Sequence, residues 1–247
     1  MKIKKIMIAA LFLSVATFNI YADNKVKTEL PIDTISLNEV VVTATRNPII
    51  RKLAPSLVNV LPHKIFEDTQ ASCLAQGLNF VPGVRVENNC QNCGWTQARI
   101  NGLDGHYSQI LIDSRPLFSA LTNVYGLEQL PANMIDHVEV IRGGGSALFG
   151  SSAIGGTINV ITREPSKNGA EIEHTITSIG GKNVFENNTT MDASIVSDNK
   201  KAGLIIFGSN RSRQPYDADG DGFSELNKIK TKSIGARLVM LKLGNMN

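Results

Sequence analysis

Beyond Pro165 the chain holds four β-prone stretches with no helical segment between them: 171–179, 184–196, 202–211 and 228–242. In the second, odd positions carry Phe185, Met191, Ala193 and Ile195, and even positions carry Glu186, Asn188, Asp192 and Ser194. Successive side chains of a strand point to opposite faces, so this alternation makes one face apolar and the other polar. Long strands that are apolar outward and polar inward are what a transmembrane β-barrel uses. A soluble antiparallel meander fits the last two stretches equally well. The connections are Gly180-Gly181-Lys182-Asn183, then residues 197–201, then a longer loop over 212–227.

The opposite end of the chain bears on the compartment. Residues 1–22 have a basic start (Lys2, Lys4, Lys5), an apolar run from Ile6 to Val15 and a small residue, Ala22, which is the layout of a cleaved secretory signal. Cleavage after Ala22 starts the mature chain at Asp23. No later stretch approaches the roughly 18 apolar residues of a spanning helix. Of the 25 basic residues, all but those three lysines lie beyond the signal, where they balance 22 acidic ones. That neutrality removes the electrostatic case for nucleic acid as a partner. Cys90 and Cys93 flank Gln91-Asn92 among turn-prone residues, as a short-loop disulfide stiffening an exposed tip would in an oxidising compartment. A redox pair would need a helix N-terminus here, and zinc two further ligands, with His106 the nearest candidate. Cys73, among Ala71, Leu74 and Leu78, reads as a buried free thiol.

Between these ends, residues 57–163 alternate short strands and helices, as a small α+β sheet domain does. Strands are expected at 58–61, 84–86, 97–100, 109–112, 138–141 and 157–162. A helix is expected from Pro62 to Phe80, closed by Pro82-Gly83, and a shorter one over 125–134. Residues 23–37 are polar and irregular. They precede the β-branched run from Val40 to Thr45, which favours an extended strand ended by Pro48. That run is either the first strand of a domain or a peptide that adds to another protein's sheet edge. The glycine-rich stretch 142–156 is no phosphate loop: Gly150 is followed by Ser151 and Ser152 where a lysine is needed, and position 148 of a G-x-G-x-x-G is Leu.

Several motifs occur in a fixed order: the signal, Glu39-Val-Val-Val-Thr-Ala-Thr45, Asn79-Phe-Val-Pro-Gly-Val84, Ile110-Leu-Ile-Asp113, Val138-Glu-Val-Ile-Arg-Gly143, and 153–162. Together they resemble TonB-dependent outer-membrane receptors, over the whole chain. The resemblance implies an α+β plug domain at 57–164, followed over 165–247 by about four opening strands of a 22-stranded transmembrane β-barrel. Residues 1–22 are then the signal, and 23–56 a flexible N-terminus. Within it Glu39, Val40, Val41, Val42, Thr43, Ala44, Thr45 and Arg46 resemble the TonB box, the strand an energised periplasmic partner grips. By the same analogy Arg142 pairs with carboxylates of the barrel wall. The Cys90–Cys93 tip lies at the plug apex, where Trp95, Asp104, His106 and Tyr107 are candidate parts of the substrate floor. Two departures, Ile100-Asn101-Gly102 for the usual Ile-Arg-Gly and Asp113-Ser114 for Asp-Gly, bear on the polar network around residues 97–112 and not on the fold.

The loop from Asp217 to Glu225 places Asp217, Asp219, Asp221 and Glu225 at positions 1, 3, 5 and 9 of a calcium-loop rhythm, but Lys228 stands at position 12 and excludes an autonomous EF-hand. It is similar to the calcium-binding acidic loop of cobalamin receptors in the family, so Ca2+ is the one candidate ion and no cofactor is otherwise required. Nothing in the sequence pairs a nucleophile with a base, so an enzyme is not expected. The reading is an outer-membrane uptake receptor, with TonB, outer-membrane lipid and a small metal chelate or vitamin (cobalamin, ferric siderophore or haem) as partners. The rival is an exported soluble plug-like binding module, or a docking protein without transport. A 22-stranded barrel at roughly 10 residues per strand needs about 220 residues in strands alone. Four strands cannot close, so the length is expected to be that of a receptor fragment.

Overall fold

The computed structural model describes residues 39–90, 95–116, 126–181 and 183–240. Two arrangements of β-structure meet in it. The first is a five-stranded sheet of order β3-β8-β9-β6-β7, with β3 (Val58–Pro62), β6 (Ser108–Ile112), β7 (Arg115–Pro116), β8 (Ile135–Arg142) and β9 (Gly156–Thr162). Strand β8 runs antiparallel to both β3 and β9, whereas β6 and β9 are parallel. Two short helices, α1 (His63–Asp68) and α2 (Leu74–Leu78), cover one face and build the core from Phe66, Leu74 and Leu78 against Ile135, Val138, Val140, Ile158 and Val160. A hairpin of β4 (Val84–Cys90) and β5 (Trp95–Ile100) adds Val84, Ala98 and Ile100 to the same core. Gly156 begins β9 because a side chain there would collide with the Ile141 carbonyl oxygen.

The helix expected from Pro62 to Phe80 is two helices. Between them Gln70 takes a left-handed φ of 53°, and the chain turns to meet residues 130–132. Leu74 N donates to Leu130 O at 2.9 Å, Ala132 N donates to Ser72 O at 3.2 Å, and Cys73 bridges Pro131. A tertiary partner for the backbone therefore overrides local helix propensity. The glycine-rich stretch likewise closes on itself: Gly143 N donates to Gly155 O and Gly145 N to Ala153 O, around the short helix α3 (Ser146–Phe149). Those N–H groups are thus spent within the loop.

The second arrangement is the antiparallel meander β10 (Gly169–Ile179), β11 (Val184–Val196), β12 (Ala202–Arg213) and β13 (Ile229–Met240). Its register sets side chains in rows. Ile172 stands beside Met191, Met191 beside Gly208 and Gly208 beside Ile234, while Ile195, Leu204 and Leu238 form another row on the same face. That face is open: Ile172 is 77% exposed, Ile234 86% and Leu238 60%. The opposite face carries Glu186, Thr190, Ile205 and Arg211, all buried. Such strands are long enough to cross a bilayer when tilted. No described helix is long and apolar enough to do so. Among the described residues the outer edges of β10 and β13 are unpaired, so the sheet is an arc and not a closed barrel.

Candidate functional site

The segment expected to be a single strand from Val40 to Thr45 is extended only at β1 (Val40–Val41), which pairs with β2 (Ile49–Ile50). The next two amides leave the strand pattern because a carboxylate claims them. Glu139, fully buried on β8, accepts from Val42 N at 2.9 and 3.0 Å and from Thr43 N at 2.6 Å. It also accepts from the Thr43 hydroxyl. Asn159 of β9, also buried, donates through Nδ2 to Thr43 Oγ1 at 2.9 Å and accepts from Ser114 N at 2.9 Å. Around this seat Val41 and Ala44 pack on Val58 and Ile141, Glu39 pairs with Arg51 at 2.8 Å, and Arg46 lies 5.2 Å over the ring of Phe149.

Magnitudes rank these contacts. Burying a Val side chain stabilises by about 1.5–3 kcal/mol. A hydrogen bond to a charged group contributes a similar amount, about 1.5–3 kcal/mol. Glu139 receives several, so the carboxylate and not the apolar contact dominates the docking. Its own burial is tolerated because His137 Nε2 stands 3.2 Å away, while His137 Nδ1 meets Asp136 at 2.7 Å. Burial opposes charge on His137, but the bonds to Asp136 and Glu139 outweigh it and push its pKa up to about 9. Burial likewise works against the Glu139 carboxylate, yet bonds from His137, Thr43 and Val42 hold its pKa below the ordinary value.

The sheet domain is fastened to the strand arc by separate contacts. Arg211 of β12 places Nε 2.6 Å from Glu186 of β11 and Nη1 2.7 Å from Glu128; Arg213 reaches Glu186 at 3.1 Å. Cys73 is a buried free thiol, as the sequence suggests. Desolvation drives its pKa up to about 12, so it donates to Glu128 and accepts from Arg211 Nη1 at 3.4 Å. Asn133 Nδ2 donates to the carbonyls of Met191 and Gly208, and Arg237 of β13 reaches Glu164 at 2.6 Å and Asp113 at 3.4 Å. Arg142 has no ion pair to a described wall carboxylate. It is exposed and lies over Gly83, whose missing side chain leaves room for it and whose φ of 80° suits glycine. Across the described interface arginines come from both sides: Arg211 and Arg237 of the wall reach Glu128 and Glu164, and Arg163 reaches Asp192 of β11 at 3.5 Å.

The remaining candidates fall in two groups. Asp104 caps the turn 105–107 and bonds His106 Nδ1 at 2.6 Å, and the His106 ring meets Trp95 edge-on at 6.1 Å. Tyr107 follows, 45% exposed. In the long loop the carboxylate oxygens of Asp217, Asp219, Asp221 and Glu225 lie within 4.8 Å of one another, an all-oxygen donor set that suits a hard divalent cation. Backbone amides already turn toward it, with Gly220 N and Gly222 N donating to Asp217 at 2.6 and 3.0 Å. The Cys90–Cys93 pairing lies outside the described residues. Glu139, His137, Asn159 and Arg211 were not singled out from sequence. The available signal for Glu139 was an acid between Val138 and Val140 on a strand otherwise destined for burial.

Residues 51–157 match the TonB-dependent Receptor Plug Domain family. Residues 51–157 are thus a plug domain, and together with the antiparallel strands that follow they have the fold of TonB-dependent receptor structures. Among its relatives, the Vitamin B12 transporter BtuB of Photobacterium profundum is 28% identical over 205 residues, covering 80% of this chain and 33% of that protein. The iron-regulated outer membrane virulence protein of Vibrio cholerae is 35% identical over 131 residues, 50% of this chain and 20% of that one. The fold matches the siderophore receptor PirA from Acinetobacter baumannii with a TM-score of 0.66 at 22% identity, over 78% of this chain and 30% of that one. The chain thus spans about a third or less of the length of these proteins.

Proposed function

We propose that this chain belongs to an outer-membrane receptor for TonB-dependent uptake of a small metal chelate or vitamin, with residues 39–46 as the segment that TonB engages. The observation that carries this reading is the contrast in fastening. Residues 39–46 are held by one two-residue strand pair, a polar seat and the small apolar cluster of Val41 and Ala44, whereas the plug behind them is tied to the wall by buried ion pairs. A segment that detaches without unpacking the plug is what strand addition by an outside partner requires. The exposed apolar rows of β10–β13 favour a lipid-facing wall over the rival soluble module, which would leave Ile172 and Ile234 in water. Deleting residues 39–46 from the full-length receptor abolishes energised uptake and leaves substrate binding at the cell surface; uptake that survives the deletion overturns the assignment.

Among substrates, cobalamin and ferric siderophores are favoured by similar proteins, one named as a vitamin B12 transporter and one as a siderophore receptor. The acidic loop tips the balance toward cobalamin. Calcium held by Asp217, Asp219, Asp221 and Glu225 would order the loop between β12 and β13, on the side where Asn227 and Lys228 share a cleft with Asn88 and Thr96 of the plug hairpin. The Trp95–His106 cluster next to that hairpin is the proposed plug side of the substrate floor. Titrating calcium while measuring affinity for cobalamin and for a ferric siderophore tests this; affinity for both unchanged by chelation removes the metal from the proposal.

A further inference from the structure

A partner that adds a strand needs free backbone N–H and C=O groups along one edge of the segment it takes. In residues 39–46 the amides of Val42 and Thr43 are not free: both are spent on Glu139. Thr43 is the only member of the segment whose side chain also enters the seat, donating to Glu139 and accepting from Asn159. Asn159 is itself fixed through the turn Asp113-Ser114. There Ser114 N donates to Asn159 Oδ1, Ser114 Oγ lies 3.2 Å from Nδ2, and Asp113 accepts from Thr162 N at 3.0 Å. Both turn residues have positive φ, 47° and 64°, a backbone shape that brings the Ser114 amide to Asn159. The Ser114 hydroxyl stands where a glycine at the same turn would offer nothing.

We propose that Glu139 and Asn159 form a release latch that competes directly with TonB for the amides of Val42 and Thr43. The proposal rests on residues 39–46 being the TonB-binding segment. Seated, these amides cannot pair with an incoming strand; unseated, they become available together, because one carboxylate holds both. The open fraction of the segment then multiplies the intrinsic affinity for the partner, so anything that weakens the seat tightens apparent TonB binding. Glu139 acts as a positioning residue, since it holds the segment in the closed state and touches neither substrate nor partner.

The test measures amide hydrogen exchange at Val42 and Thr43 in the full-length protein in detergent, beside the affinity for the periplasmic domain of TonB. Glu139→Gln turns one acceptor oxygen into a donor facing the Thr43 amide. It is expected to raise exchange at both positions about tenfold and tighten TonB binding by a like factor, leaving β8–β9 protection unchanged. Thr43→Val keeps the amides and removes only the hydroxyl, and is expected to raise exchange about threefold. It decides the question alone if Glu139→Gln disturbs the sheet. Unchanged exchange in a variant whose sheet is intact overturns the latch, and faster exchange with unaltered TonB affinity overturns the competition. If TonB binds the wild type and a protein lacking residues 39–46 equally well, the underlying assignment of the segment fails instead, whatever the exchange rates show.

Discussion

Glu139 in the plug sheet and Arg211 on the wall are both buried charges borne by strands, and they are compensated in opposite ways. Arg211 is answered by side chains alone: Glu186 beside it, Glu128 across the interface and the Cys73 sulfur. Glu139 is answered chiefly by backbone amides of the segment that docks on it, with His137 behind it. Side-chain partners fix two bodies in register, and separating them strands a charge in the interface. Backbone partners can be exchanged for another protein's backbone. The same elementary cost of burying an ion therefore yields a clamp in one place and a detachable seat in the other.

The largest expected effect tests the clamp. Arg211→Met leaves Glu128 without its cation and Glu186 with Arg213 only, and is expected to cost about 3–5 kcal/mol, read as a lowered urea midpoint of the folded protein in detergent. Adding Glu128→Gln removes the stranded carboxylate and recovers part of the loss. A single variant as stable as wild type would show that the wall does not hold the plug through this cluster.

His137→Leu asks the same of the seat, with a smaller result. The amides remain, but Glu139 loses its counter-charge, so docking weakens by about 1–3 kcal/mol and exchange at Val42 and Thr43 accelerates while the urea midpoint stays near wild type. A large fall in the midpoint would mean that the seat is part of the plug's core stability and not separable from it.

How much of this was legible in the sequence differs between the two regions for the same physical reason. The strand Val184–Val196 is observed with the bounds that its alternation predicts, since a two-residue period with one open apolar face and one buried polar face is written locally. The clamp on that wall was not read, because inward polar residues announce only that they face away from the apolar side. In the plug, the local residue pattern placed every strand of the sheet's centre. It missed the break at 69–73, which depends on residues 130–132, and it gave residues 42–43 as strand because their β-branched side chains carry no trace of a carboxylate ninety-odd positions away. Contacts made by the backbone leave the fewest marks on the sequence that makes them.

Acidity separates the two regions further. The Glu139 carboxylate has a depressed pKa, so its contribution to docking is complete above the ordinary 4.5 and fades as pH falls through its lower folded value. His137 has a raised pKa, so its contribution is complete below the ordinary 6.5 and is lost as pH rises through about 9. The Glu139–His137 pair behind the seat is therefore charged on both sides between about pH 4.5 and 6.5 and loses its cation toward pH 9. Exchange at Val42 and Thr43, corrected for base catalysis, should rise across pH 7–9 in the wild type and be flat there in His137→Leu. A wild-type curve with no such rise removes His137 from the seat.

The smallest expected effect concerns the far end of the segment, where Arg46 lies over Phe149 with a left-handed φ of 62°. An exposed cation–π contact is worth about 0.5–1 kcal/mol, so Arg46→Ala, which keeps the unfavourable φ and loses the ring, should speed exchange at Ala44 about two- to fivefold. Arg46→Gly loses the same contact, but glycine adopts positive φ without the steric cost, about 1–2 kcal/mol, that an L residue bears there. The two terms oppose each other, and Arg46→Gly should dock close to wild type or slightly more firmly, and clearly more firmly than Arg46→Ala. If alanine and glycine loosen the segment equally, the left-handed turn is not strained in the docked state. Arg46 then holds its end by the ring alone, and the seat at Thr43 carries a correspondingly larger share of the docking.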